Sequence, residues 1–184
     1  SVAAALPAYA HCPTVVVHSP EDVERKAGDV TETPDSARDT RDICVGVDSS
    51  AHARHAAVTA AHEAKRLGVG LEVVHAQPPF IGTSNVWYLQ QHEDLEQQTT
   101  QNTLEFLTEE IELLKEQVPG VEMKPTVMRS APAEAMIESS ERSQLTVLGT
   151  RGRGGFTSLL LGSVSRTTLA HARGTVMVVP MVED

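Results

Sequence analysis

The chain has 184 residues, 40% hydrophobic but only 3% aromatic, with 15 Lys and Arg against 25 Asp and Glu and a formal net charge of −10. That length suits one domain with an aliphatic core plus additional segments. So few rings exclude a surface that stacks single-stranded nucleic acid bases, and the acidic balance opposes general binding to phosphate backbones or anionic membranes, so any anion site has to be local.

Residues 1–18, SVAAALPAYAHCPTVVVH, lack a basic segment followed by an apolar run and are not a secretory signal; the expectation is a cytoplasmic protein whose chain begins mid-protein. Nothing approaches the roughly 18 unbroken apolar residues of a membrane span. Laid without a gap on 163–180, this segment matches at Ser1/Ser163, Val2/Val164, Ala8/Ala170, Ala10/Ala172, Val16/Val178 and Val17/Val179. Shared Ala and Val content is one reading. The other makes residues 1–18 the closing helix and strand of a preceding copy of the same domain. Residues 19–41 read as a flexible acidic linker, since they follow neither a period of 2 nor one of 3.6, and through residue 40 seven acids stand against three bases. Cys12 and Cys44 lie beside or within valine-rich runs and read as reduced packing residues.

From residue 42 to 184 strand and helix patterns alternate. Ile43 to Val47 is a short strand that ends at Asp48-Ser49-Ser50, a helix-capping run. Alanines 53, 56, 57, 60, 61 and 64 then fall on one helical stripe that Gly68 stops. Leu71 to His75 is a second strand. Leu104, Leu107, Ile111, Leu114 and Val118 mark the core face of a long helix over 88–118. Val121 to Met128 is a third strand, with Pro125 predicting an edge position. Pro132 to Glu141 is a short helix, Leu145 to Leu148 a fully apolar strand, Ser163 to Ala172 a helix and Val176 to Val179 a last strand. Five strands alternating with four helices predict an α/β domain with a mainly parallel sheet covered on both faces, whose ligand site lies at the strands' carboxyl ends.

The stretch most suited to chemistry is Gly149-Thr150-Arg151-Gly152-Arg153-Gly154-Gly155, running on to Leu161-Gly162-Ser163-Val164-Ser165. Glycines after an apolar strand let a ligand approach backbone N–H groups, and a helix N-terminus adds free N–H groups and partial positive charge, which suit phosphate. Between residues 142 and 182 there are five arginines (142, 151, 153, 166 and 173) and no Asp or Glu. A solvated glycine-rich loop is the bland alternative. His52, His55 and His62 share a helix without completing a metal set and read as exposed helix residues. His75 reads as a strand residue beside the pocket. No G-x-x-x-x-G-K-[S/T] loop is present, and the glycine-rich segment has no lysine. The run Arg151 to Phe156 also looks like an RGG-type RNA patch, but one short copy in an acidic chain does not outweigh the charge.

Gly149, Gly152, Gly162 and Ser163 fit G-x-x-G-x9-G-[S/T], and with VGVDSS, LEVVHAQ, SAPAEAMIESS and LGSVSRTTLAHA the chain from 42 to 181 resembles the universal stress protein family of UspA-like, ATP-binding type, as the C-terminal domain of a tandem protein. That resemblance implies an open five-stranded parallel sheet of order 3-2-1-4-5, Rossmann-like and similar to adenine nucleotide alpha hydrolases. It implies that Gly46, Val47, Asp48 and Ala76 border adenine and ribose and that Leu148 closes that pocket. Gly149, Thr150, Arg151 and Gly152 would wrap the ribose and first phosphates, Gly162, Ser163, Val164 and Ser165 would hold the remaining phosphates, and Arg153 is counted with this set. The ligand is expected to be ATP, with Mg held through its phosphates and no metal site of the protein's own; AMP or another adenine nucleotide is the variant. Function is expected to be nucleotide sensing without catalysis, the alternative being slow ATP hydrolysis or self-phosphorylation at Ser163 or Ser165. Val176, Val178 and Val179 are expected to pair with Val15, Val16 and Val17, within the chain or between two chains of a homodimer, with no nucleic acid or membrane partner. Gln144 and Arg173-Gly174-Thr175 depart from the family pattern, the latter standing where residues 11–13 keep His-Cys-Pro.

Overall fold

The computed structural model describes residues 2–18, 39–78, 86–152 and 160–181. Along the chain these form α1 (Val2–Tyr9), β1 (Thr14–Val16), β2 (Ile43–Gly46), α2 (Ala51–Leu67), β3 (Leu71–Ala76), α3 (Val86–Gln117), β4 (Met123–Met128), α4 (Pro132–Arg142), β5 (Leu145–Gly149), α5 (Ser163–His171) and β6 (Val176–Val179). All strands join one sheet in the order β1-β6-β5-β2-β3-β4. Two expectations are corrected. The sheet has six strands rather than five, and it is not wholly parallel, because β1 adds antiparallel to the edge of β6. The five strands after residue 42 do run 3-2-1-4-5 when counted among themselves, with parallel pairing throughout.

Local chemistry sets the element ends. Ser50 accepts from the Ala53 N–H at 3.1 Å and so satisfies one free donor of the first turn of α2. Gly68 closes that helix in the left-handed region at φ 69°, its N–H directed to the carbonyls of Ala64 and Lys65. Because the buried stripe of α2 is all alanine, the helix lies close against the sheet. Pro125, which has no N–H to donate, sits in the edge strand β4, as its chemistry requires.

Strand alternation divides the core. Ile43, Val45, Leu71, Val73, Val147, Met177 and Val179 face α2 and α3, where Leu107, Ile111, Leu114 and Val118 complete the larger cluster. On the other face Cys44, Val74 and Leu148 pack with Met136 of α4. Val176 and Val178 pack there with Leu161 and Leu169, and Ala8 and Val16 extend that patch from the N-terminal segment. Each Val, Leu, Ile or Met side chain buried in these clusters contributes roughly 1.5–3 kcal/mol of transfer free energy.

The register of the added strand is symmetric about Val15↔Met177, with Thr14↔Val178 and Val16↔Val176 on either side. The expected partners thus meet in part. Val16 pairs with Val176, Val15 meets Met177 instead of a valine, and Val17 lies beyond the strand and is exposed. His18 anchors the segment, its ring nitrogens 2.9 Å from Gly174 O and 2.8 Å from Leu169 O. Most of the expected linker lies outside the described residues. Its end is held where Gln144 donates to the carbonyls of Asp39 and Arg41, a structural use for a residue that departs from the family pattern. Gly174, the other departure, lies so close to Ser140 O that a side chain there would collide with it.

The two cysteines differ. Cys44 is buried in β2, and loss of solvation pushes its thiol up to about 12, whereas Cys12 is exposed and does not pack as expected. Native protein at pH 8 should therefore react with a disulfide reagent at one thiol and denatured protein at two; two fast native thiols in a colorimetric titration would contradict this packing.

Candidate functional site

At the carboxyl ends of β2 and β5 the chain leaves in opposite directions, to β3 on one side and β6 on the other, and a crevice opens where two such strands are neighbours. A cleft of about 390 Å³ lies there. Every expected site residue lines it except Thr150 and Arg153. Arg153 falls outside the described residues. Thr150 is buried and braces the wall from behind: its N–H donates to Val179 O at 3.1 Å and its carbonyl accepts from the Gly162 N–H at 2.7 Å.

Part of the cleft wall is apolar, formed by Gly46, Val74, Ala76, Met136 and Leu148. Gly46 matters there because a Cβ would stand 2.8 Å from Met136 Sδ and 2.9 Å from Leu148 Cδ2, so the glycine lets both side chains close over the strand end. His75 stands at the edge, with Nδ1 2.8 Å from Val47 O and its ring edge-on to Phe106 at 6.2 Å. A carbonyl only accepts, so Nδ1 carries the proton.

Another part of the lining suits anions. Gly162 starts α5 without any side-chain cap, which leaves the N–H groups of its first turn directed at the cleft. Arg151 and Arg166 line the same region. Asp48 is the only carboxylate of the lining; its Oδ1 accepts from the Ser50 N–H at 3.1 Å, and its other oxygen presses so close to Gly152 that no side chain fits there. Ser163 is exposed on the wall. Ser165 is buried and donates its only hydroxyl proton to Gly149 O at 2.7 Å, so it ties α5 to the end of β5 instead of offering that proton to a ligand.

Sequence reasoning passed over Ala53, Val74, Pro132, Met136 and Arg166 as lining residues. Arg166 was legible as one of five arginines in an acid-free stretch. Pro132 and Met136 carried no signal, because only the packing of α4 across β2 brings them to the cleft. Among the described residues no His, Cys, Asp or Glu group is disposed to hold a metal ion. No helix among them is long and apolar enough to cross a membrane.

The family model described as the universal stress protein family matches residues 40–180. The chain belongs to this family. A universal stress protein of Mycobacterium tuberculosis is 34% identical over 179 residues, a match covering 97% of this chain and 54% of the relative. The chain thus spans about half the length of the curated relatives it matches. Among solved structures, the universal stress protein UspA of Lactobacillus plantarum shares the fold with a TM-score of 0.65 at 19% identity, over 78% of this chain and 99% of that one. A universal stress protein of Archaeoglobus fulgidus, solved in complex with dAMP, has a TM-score of 0.54 at 22% identity and covers 76% of this chain and 97% of its own.

The two serines of this universal stress protein domain should separate cleanly. Ser165→Ala strands a buried carbonyl and should cost about 1–3 kcal/mol in urea unfolding. Ser163→Ala, at an exposed position, should stay within about 0.5 kcal/mol. Equal effects would remove Ser165 from its bracing role.

Proposed function

We propose that the cleft binds an adenine nucleotide, foremost ATP with Mg on its phosphates, and that the domain works in the cytoplasm as a nucleotide-sensing module in stress response rather than as an enzyme. The observation that carries this is that one crevice combines an apolar wall for a base with an uncapped helix N-terminus and two arginines. Asp48 lines the same crevice, where a carboxylate can accept from ribose hydroxyls. The dAMP held by the Archaeoglobus fulgidus relative supports the ligand class. Occupancy stabilises the walls by mass action, and the ordered surface around α5 is what a partner reads.

Slow hydrolysis or self-phosphorylation is the second reading, favoured at Ser163 alone, since this hydroxyl is exposed on the wall and that of Ser165 is committed. Mass spectrometry of nucleotide released from purified protein, followed by calorimetric titration, tests the main reading. An adenine nucleotide should be found and Asp48→Ala should weaken its binding about tenfold or more, the loss expected for a hydrogen bond to a charged group. Neither released nucleotide nor binding of added ATP would sink it, and phosphate release that Asp48→Ala abolishes would turn the module into an enzyme.

Residues 1–18 are, on the same footing, the closing helix and strand of a preceding copy, joined by the 19–41 linker to the domain of 42–184. Support comes from the offset seen in sequence: α1 and β1 occupy the positions that α5 and β6 occupy 162 residues later. Val15 and Val17 correspond to Met177 and Val179, which α2 buries, yet they are 48% and 71% exposed. A helix equivalent to α2 would cover them. With β1 on its edge, β6 is closed to a second chain unless β1 exchanges between chains. Val15→Asp with Val17→Asp should leave the Tm of this chain within about 2 °C but lower that of a longer chain carrying a preceding copy by more than about 4 °C. Equal shifts would count against the repeat.

A further inference from the structure

We propose that Arg166 sets the phosphate number of the ligand, making the cleft select nucleoside triphosphates over monophosphates; this rests on the adenine nucleotide reading above. Arg166 is the fourth residue of α5, so it lies on the face of the helix that carries Ser163, one turn back. Helix side chains lean toward the N-terminus, which directs this long one over the first-turn N–H groups that line the cleft.

Charge pairing singles it out. In this acidic protein Arg41, Arg54, Arg66, Arg142 and Arg173 all sit within 4 Å of carboxylates. Arg151 and Arg166 have no carboxylate partner among the described residues, and both line the cleft. Asp48 is held at the β2 side by the Ser50 N–H. Two unpaired guanidiniums and a helix N-terminus thus face one space, an arrangement that calls for an anion with more than one charged group. Arg151, just past the end of β5, is placed for the phosphate next to the ribose. Arg166, on the opposite wall, is placed for the phosphates beyond it. A monophosphate does not extend that far.

The test is calorimetric titration of the full chain with ATP, ADP and AMP, in wild type, Arg166→Gln, Arg166→Glu and Arg166→Lys. Arg166→Gln should weaken ATP about tenfold or more and leave AMP within about twofold, Arg166→Glu should widen that gap, and Arg166→Lys should recover part of the loss. Because Arg166 is exposed, thermal unfolding of all three variants should match wild type. If ATP and AMP weaken equally, or neither changes, Arg166 does not select and the proposal is wrong while the nucleotide site stands. A wild-type chain that binds none of the three overturns the site itself, and the proposal falls with it.

Discussion

The cleft depends on a short brace at the end of β5. Ser165 Oγ donates to Gly149 O, Thr150 O accepts from the Gly162 N–H, and the Thr150 N–H donates to Val179 O, all at 2.7–3.1 Å. These bonds hold the first turn of α5 against the strand from which the glycine-rich segment departs. Without them the free N–H groups of α5 and the carboxyl ends of β2 and β5 would not face one space. They also explain why Thr150 works behind the wall and why Ser165, though it lines the cleft, has its hydroxyl proton committed to the fold. A buried hydroxyl that satisfies a buried carbonyl is worth more to the fold than an exposed one.

Electrostatics follows from the same placement. The protein as a whole repels anions, with a net charge of −10, yet among the described residues Arg54, Arg66, Arg142 and Arg173 are neutralised locally by carboxylates on α2, α3 and α4. Arg151 and Arg166, which have no carboxylate partner among the described residues, line one crevice with low-dielectric walls, where each charge acts more strongly than on an open surface. Acidity elsewhere sharpens the contrast instead of opposing the site.

The edge of the sheet obeys a different constraint. A bare parallel edge at β6 would offer unpaired N–H and C=O groups to any other strand. β1 covers it, and its register about Val15↔Met177 is what two equivalent strands would adopt across a two-fold axis. Val15, which β1 turns away from its own patch, and Val17, just beyond the strand, are left exposed.

Much of this was legible in the residues. The alanine stripe of α2, the apolar run at 145–148 and the glycine spacing from 149 to 162 each follow from local chemistry, because helix period, strand burial and close backbone approach constrain residue type directly. Pro125 announced its edge, and the likeness of residues 1–18 to 163–180 announced a helix and a strand. The sequence by itself therefore determined the element order after residue 42 and a site at the strands' carboxyl ends, whereas the strand order that places the crevice came with the family resemblance. Tertiary structure alone decided that Met136 and Pro132 wall the cleft, that Ser165 spends its proton on Gly149, that Cys12 is exposed while Cys44 is not, and that β1 adds antiparallel to β6 within the chain. The physical reason is common to all four: each rests on contacts between segments distant in the chain, and no local periodicity or motif encodes which neighbour a side chain will meet.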